Sequence, residues 1–215
     1  MKICTDKFLK NAGVKCLPFV GGEYQKNGPG GLRVLILGES HYNDNGEFGP
    51  QFTREVMEDI LNGVTDPHYA IYTKIATLFS RNLTDRLGHR ARFFKTVAFY
   101  NFIQSAVSGP RVPPTAEMWK AARGPFEAVL GCLKPELVLV LGVKLWKEIK
   151  IPRKKLPPVK LGNGKEAPMG YYTIDRHRCQ FFRINHPSSR GFCYDVWRPA
   201  LKAAIKRASA AKGKS

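Results

Sequence analysis

Two short apolar runs, each ending in glycine, constrain this chain more than any other feature. Leu32-Arg33-Val34-Leu35-Ile36-Leu37 stops at Gly38, and Leu137-Val138-Leu139-Val140-Leu141 stops at Gly142. A short, nearly unbroken apolar run marks a strand covered on both faces, the usual situation in a parallel sheet. Residues 95–100 and 179–184 read as two further strands. Apolar residues at helical spacing lie between them over 53–61, 69–83, 115–133 and 144–149, and again over 196–207. Thr115 is placed to cap the third of these helices, and Lys134-Pro135 to end it. Residues 150–170, rich in Pro, Gly and Lys, read as a long surface loop beside the site. The expectation is an α/β fold with one domain over residues 1–207 and a central, mostly parallel sheet flanked by helices on both faces. Residues 208–215 read as a basic, disordered tail. In such folds ligands bind at the carboxyl ends of the strands, so the residues just past each strand carry the most information.

Charge narrows the partner. The 215 residues hold 35 Lys and Arg against 17 Asp and Glu, a formal net charge of +18. From Lys144 to Ser215 there are 18 basic and 4 acidic residues, so a third of the chain holds most of the excess. A surface of this sign concentrates polyanions and speeds encounter with them, and nucleic acid is the expected partner. No apolar run approaches the roughly 20 residues that a membrane helix needs. Met1–Lys7 lacks the charged-then-apolar layout of a signal peptide. A soluble, cytoplasmic monomer that binds DNA and not membranes is expected. Cys4, Cys16, Cys132, Cys179 and Cys193 are scattered, odd in number and never spaced as CxxC. That argues against a disulfide framework and a compact zinc site, and nothing in the spacing asks for an iron–sulfur cluster; no metal or cofactor is expected.

Three clusters past strand ends carry chemistry. Gly38-Glu39-Ser40-His41-Tyr42-Asn43-Asp44 puts acids, hydroxyls and an imidazole straight after the first strand. Asn101 closes the strand over 95–100; its amide offers an acceptor and two donors, the pattern needed to read the amide-like edge of a pyrimidine. Asn185-His186-Pro187-Ser188-Ser189-Arg190-Gly191-Phe192 follows the last strand, where hydroxyls and backbone N–H groups suit a phosphate oxygen.

In this order the clusters resemble the uracil-DNA glycosylase superfamily. Gly38–Asn43 resembles its first motif (GQDPYH, GEAPG or GMNPG by branch), and Asn101 matches the base-reading Asn after the middle strand. Pro135-Glu136-Leu137 through Gly142 resembles the KPxxVxxLG strand, and His186-Pro187-Ser188-Ser189-Arg190 the second motif, HPSPL or HPSPR. The match spans about Leu32 to Pro199, and its second motif is the more specific. The resemblance implies a glycosylase that extrudes one nucleotide and breaks its N-glycosidic bond through an oxocarbenium-like sugar. It implies that His186 donates to the departing base anion, and that Asn101 reads the base edge. By the same carry-over Phe52 stacks on the base, with Phe48 as the rival, and Tyr42 screens the pyrimidine 5-position. Ser188 and Ser189 hold phosphate, and Arg190 acts as the wedge.

The departures fall in the first motif. Ser40 stands where the best-known branch has its water-positioning Asp, so Glu39, and after it Asp44, is the expected catalytic acid. His41 replaces the motif's Pro, and with Ser40 it alters the base pocket. Plain uracil becomes one candidate beside deaminated purines and modified pyrimidines such as the glucosylated hydroxymethylcytosine of phage DNA, and an antiviral role joins repair. Two other readings compete: a catalytically silent DNA-binding protein of the same fold, and a nucleotide-processing enzyme using Gly28-Pro29-Gly30-Gly31 as a phosphate loop. Those glycines precede the strand instead of following it, which is the wrong side for such a loop.

Overall fold

In the computed structural model, Val34–Gly38 and Leu137–Leu141 lie side by side at the centre of a seven-stranded sheet. The structure describes residues 5–41, 48–80, 84–107, 109, 112–150 and 153–212. The strands are β1 (Phe19–Val20), β2 (Val34–Gly38), β3 (Ala98–Asn101), β4 (Leu137–Leu141), β5 (Lys154–Lys160), β6 (Glu166–Ile174) and β7 (His177–Ile184). Their order across the sheet is β1-β3-β2-β4-β7-β6-β5. The β3-β2-β4-β7 centre is parallel, and β1 and β6 run against it. The helices are α1 (Asp6–Asn11), α2 (Phe52–Leu61), α3 (Ala70–Phe79), α4 (Arg86–Lys95), α5 (Ala116–Ala121), α6 (Arg123–Leu133), α7 (Val143–Glu148) and α8 (Tyr194–Lys212).

The unbroken apolar character of β2 and β4 follows from burial on both sides. Val34, Ile36, Leu137 and Leu139 face one core with α2, α3, α4 and α8. The alternate residues Leu35, Leu37, Val138 and Val140 face the other, with α1, α5, α6 and α7. The expected α/β fold with helices on both faces is therefore the fold observed.

Several boundaries differ from the sequence reading. The expected helix over 115–133 is divided at Ala122: Thr115 caps α5 by accepting from the Met118 N–H, and Pro125 crowds the carbonyl of Ala121 four residues back. The expected loop over 150–170 is instead the antiparallel β5–β6 hairpin laid on β7. Pro157 and Pro158 fit there because β5 is an edge strand, and its pairing is irregular between Leu156 and Val159. Exposed lysines along β5 keep that edge from pairing further.

The tail expected from residue 208 is a correction as well. Helix α8 runs to Lys212, with Ala208 buried, Ser209 Oγ donating to Gly30 O at 3.0 Å and Lys212 Nζ to Gly31 O at 2.9 Å. The same contacts cover the 28–31 loop. Gly30, at φ 67°, has Ile205 where a Cβ would go. Cys132 is disulfide-bonded, whereas Cys16, Cys179 and Cys193 are free. Among the described residues no helix is long and apolar enough to cross a membrane.

Candidate active site

Strands β3, β2, β4 and β7 bring Asn101, Gly38-Glu39, Gly142 and His186 to one edge of the sheet, in that spatial order. At about 4.8 Å per strand, Asn101 and His186 flank some 14 Å of this carboxyl edge with Glu39 between them.

The β2–β3 ladder continues past the strand ends and fixes the first cluster. Gly38 pairs with Asn101, the Phe102 N–H donates to Gly38 O at 2.9 Å, and the Ile103 N–H donates to Glu39 O at 2.8 Å. Gly38 is required for space: a Cβ there would fall 2.0 Å from Asn101 Oδ1. The Asn101 amide thus lies across the end of β2. The backbone carbonyl of Asn101 accepts from Gln104 Nε2 at 2.8 Å, while Gln104 Oε1 accepts the N–H groups of Lys15 and Cys16.

Glu39 is half-buried, and burial raises its carboxyl pKa. Lys144 on α7 pulls it down again, and Glu148 pushes it up. Ser40 is partly exposed. Tyr42, Asn43 and Asp44 lie outside the described residues.

His41, expected in the base pocket, is a packed residue. It is 6% exposed, its Nε2 is hydrogen-bonded to Thr53 Oγ1 at 2.9 Å, and its ring meets Phe48 and Phe52 edge-on. Phe48 and Phe52, read as rivals, stack on each other with centroids 4.3 Å apart and form one partly exposed aromatic platform. Burial pushes the His41 ring from its ordinary 6.5 down to about 4. The unfolded chain therefore binds the proton that the folded chain refuses, and stability falls as pH drops from 6.5 toward 4. The full difference is worth about 3 kcal/mol. Urea unfolding at several pH values checks this: His41→Gln should lose that part of the acid dependence, and an unchanged slope would refute it.

The second cluster is organised around the His186 ring. Ser188 Oγ lies 2.6 Å from His186 Nδ1, and the Ser188 N–H donates to the same nitrogen at 3.3 Å. A backbone N–H only donates, so Nδ1 is the acceptor and the neutral ring carries its proton on Nε2. Burial lowers the pKa of this histidine, and Lys74 lowers it further. Lys74, on α3, also donates to the Pro187 carbonyl at 3.2 Å and holds the loop down. Ser188, expected on a phosphate, thus orients His186. The Ser189 N–H is taken by His186 O at 2.9 Å, leaving its side chain and that of Arg190 exposed. Gly142, at φ 116°, passes beneath: a Cβ there would lie 3.8 Å from the His186 Cβ.

A basic rim adjoins this loop. Strand β5 runs in the same direction as β7, so the hairpin tip after Lys160 is on the His186 side of the sheet. The Gly162 N–H donates to Val196 O at 2.9 Å, which seats the tip on the start of α8 with Lys160 and Lys165 exposed. Among the described residues no three His, Cys, Asp or Glu side chains could share a metal ion. Lys74, Gln104 and Lys144 support the site and left no signal in the sequence, whereas Gly142, which also supports it, was legible there as the end of an apolar run.

No protein-family model matches the chain, and no curated protein matches it.

Proposed function

We propose that this protein is a monofunctional DNA glycosylase with the chemistry of the uracil-DNA glycosylase superfamily. The observation that carries the reading is the His186 ring, neutral, with Nδ1 occupied by Ser188 and Nε2–H left as a donor at the same sheet edge as the Asn101 amide. A base rotated out of the duplex would stack on the Phe48–Phe52 platform and present its amide-like edge to Asn101. As the N-glycosidic bond breaks, its electron pair passes to the base, and His186 Nε2–H donates to the oxygen where that charge collects. Glu39 orients a water toward the oxocarbenium carbon and accepts its proton as the C–O bond forms; its raised pKa suits a base for that proton. The products are an abasic site and the free base. Lys160, Lys165 and Arg190 would meet backbone phosphates.

The test is release of free base and alkali-sensitive strand breaks from oligonucleotides carrying uracil, hypoxanthine or glucosylated hydroxymethylcytosine. If no modified DNA yields abasic sites, the enzymatic reading fails. Ser40, which cannot carry charge where the family has an acid, favours a second reading: salt-sensitive DNA binding without product.

The Glu39 assignment makes its own prediction. Activity should fall as pH drops and Glu39 takes up a proton. Because Lys144 stabilises the carboxylate, Lys144→Ala should move this acid limb to higher pH. Single-turnover rates across pH check it; an unmoved limb would remove Glu39 from the proton-transfer step.

A further inference from the structure

We infer that the opposite, amino edge of the sheet carries a second site, which binds a phosphate group. A cavity of about 220 Å³ opens there, between the starts of β2, β4 and β7 and the end of α8. Its lining includes Arg33, Arg176, Arg178 and Lys212 against one carboxylate, Glu136. That carboxylate is already used. It accepts the Arg33 backbone N–H at 2.6 Å and the Arg33 Nε at 2.9 Å, and Lys212 stands 3.6 Å away. The remaining positive charge has no counter-charge among the residues that line the cavity.

Two further observations point to a ligand. Gln180 is 2% exposed and its Oε1 has no partner among the described residues; a half-turn of the amide would present its NH2 instead. Arg178 sits over the Tyr171 ring, with its guanidinium carbon 3.8 Å from the ring centroid, and its buried Nε is also unpartnered among the described residues. A guanidinium held against an aromatic face in this way keeps its N–H fork free for two-pronged contact with a tetrahedral oxyanion. The β6–β7 turn delivers the fourth cation under strain. Asp175 and Arg176 both have positive φ, at 46° and 64°, positions ordinarily given to Asn and Gly. Strain of that kind persists where the surrounding structure uses it, and here it sets Arg176 at the cavity mouth. His177 adds no charge: its Nε2, 2.9 Å from the Pro135 carbonyl, carries the proton, and burial favours the neutral ring.

Size decides the class. Pockets for cofactor-sized ligands run from about 300 to 1,000 Å³, so this one takes a phosphate group and not a whole nucleotide. The group can come from free phosphate or from the terminal phosphate of a nucleic-acid strand. The site is a strand length from His186 and does not depend on the glycosylase reading.

Calorimetric titration of the full chain with inorganic phosphate, at ionic strength held constant with sodium chloride, tests it. Saturable binding is expected. The Arg176→Gln/Arg178→Gln double variant should weaken it by roughly tenfold or more, and His186→Ala should leave it unchanged. Arg176→Gln alone, in an exposed turn, should weaken it measurably even if the double variant fails to fold. A short oligonucleotide with a 5′-phosphate that displaces phosphate, where its unphosphorylated twin does not, identifies the strand end as the source; no displacement by either identifies free phosphate. Absence of saturable binding by the parent, or equal binding by parent and Arg176→Gln, would overturn the site.

Discussion

Replacing His186 with alanine is expected to slow base release by roughly 10²–10³-fold, the usual cost of one preorganised donor to a developing oxyanion, while DNA affinity stays near the parent's. The expectation rests on what the ring does at rest. With Nδ1 engaged by Ser188, Nε2–H is aimed before any substrate arrives, and burial together with Lys74 keeps the ring neutral near pH 7. A neutral donor strengthens its bond as negative charge grows on the base, so its removal costs the transition state more than the bound ground state. Ser188→Ala should cost less than His186→Ala, since it loosens the ring without deleting the donor. Single-turnover rates and equilibrium DNA binding on the same substrate separate these effects. Equal losses of rate and affinity in His186→Ala would make the residue structural.

How much of this was legible in the sequence depends on where each signal resides. The parallel centre was readable because β2 and β4 are buried on both faces, and such strands are written as continuous apolar runs. The sheet edge that gathers Glu39, Asn101 and His186 followed from the same strands, since topology alone places their carboxyl ends together. The β5–β6 hairpin was hidden because an edge strand tolerates Pro157, Pro158 and a row of lysines, the composition of a loop. Helix α4 was hidden as well: its buried face includes Arg90, and Gly88 with three arginines and His89 breaks the apolar rhythm. Individual side chains were hardest. Nothing in the order of residues tells that His41 turns inward to Thr53, or that Lys74 reaches Pro187, 113 positions away.

Gly38→Ala is expected to reproduce the defect of Asn101→Ala while leaving every group that meets substrate chemically intact. The added methyl would stand 2.0 Å from Asn101 Oδ1 and 3.4 Å from Phe99 Cζ. The atom that must yield is the end of a side chain, so the fold should absorb the change at a cost of about 1–3 kcal/mol. The base-reading amide, however, has to leave its place across the end of β2. Displacement of a positioning group by about 1 Å can cost roughly 10²-fold in rate. If Gly38 acts only through Asn101, the double variant should be no slower than Asn101→Ala alone, because the second change removes something already lost. Thermal unfolding, DNA binding and single-turnover base release on the four proteins form the cycle. Additive losses would mean that Gly38 serves the strand end itself and does not act through the Asn101 amide.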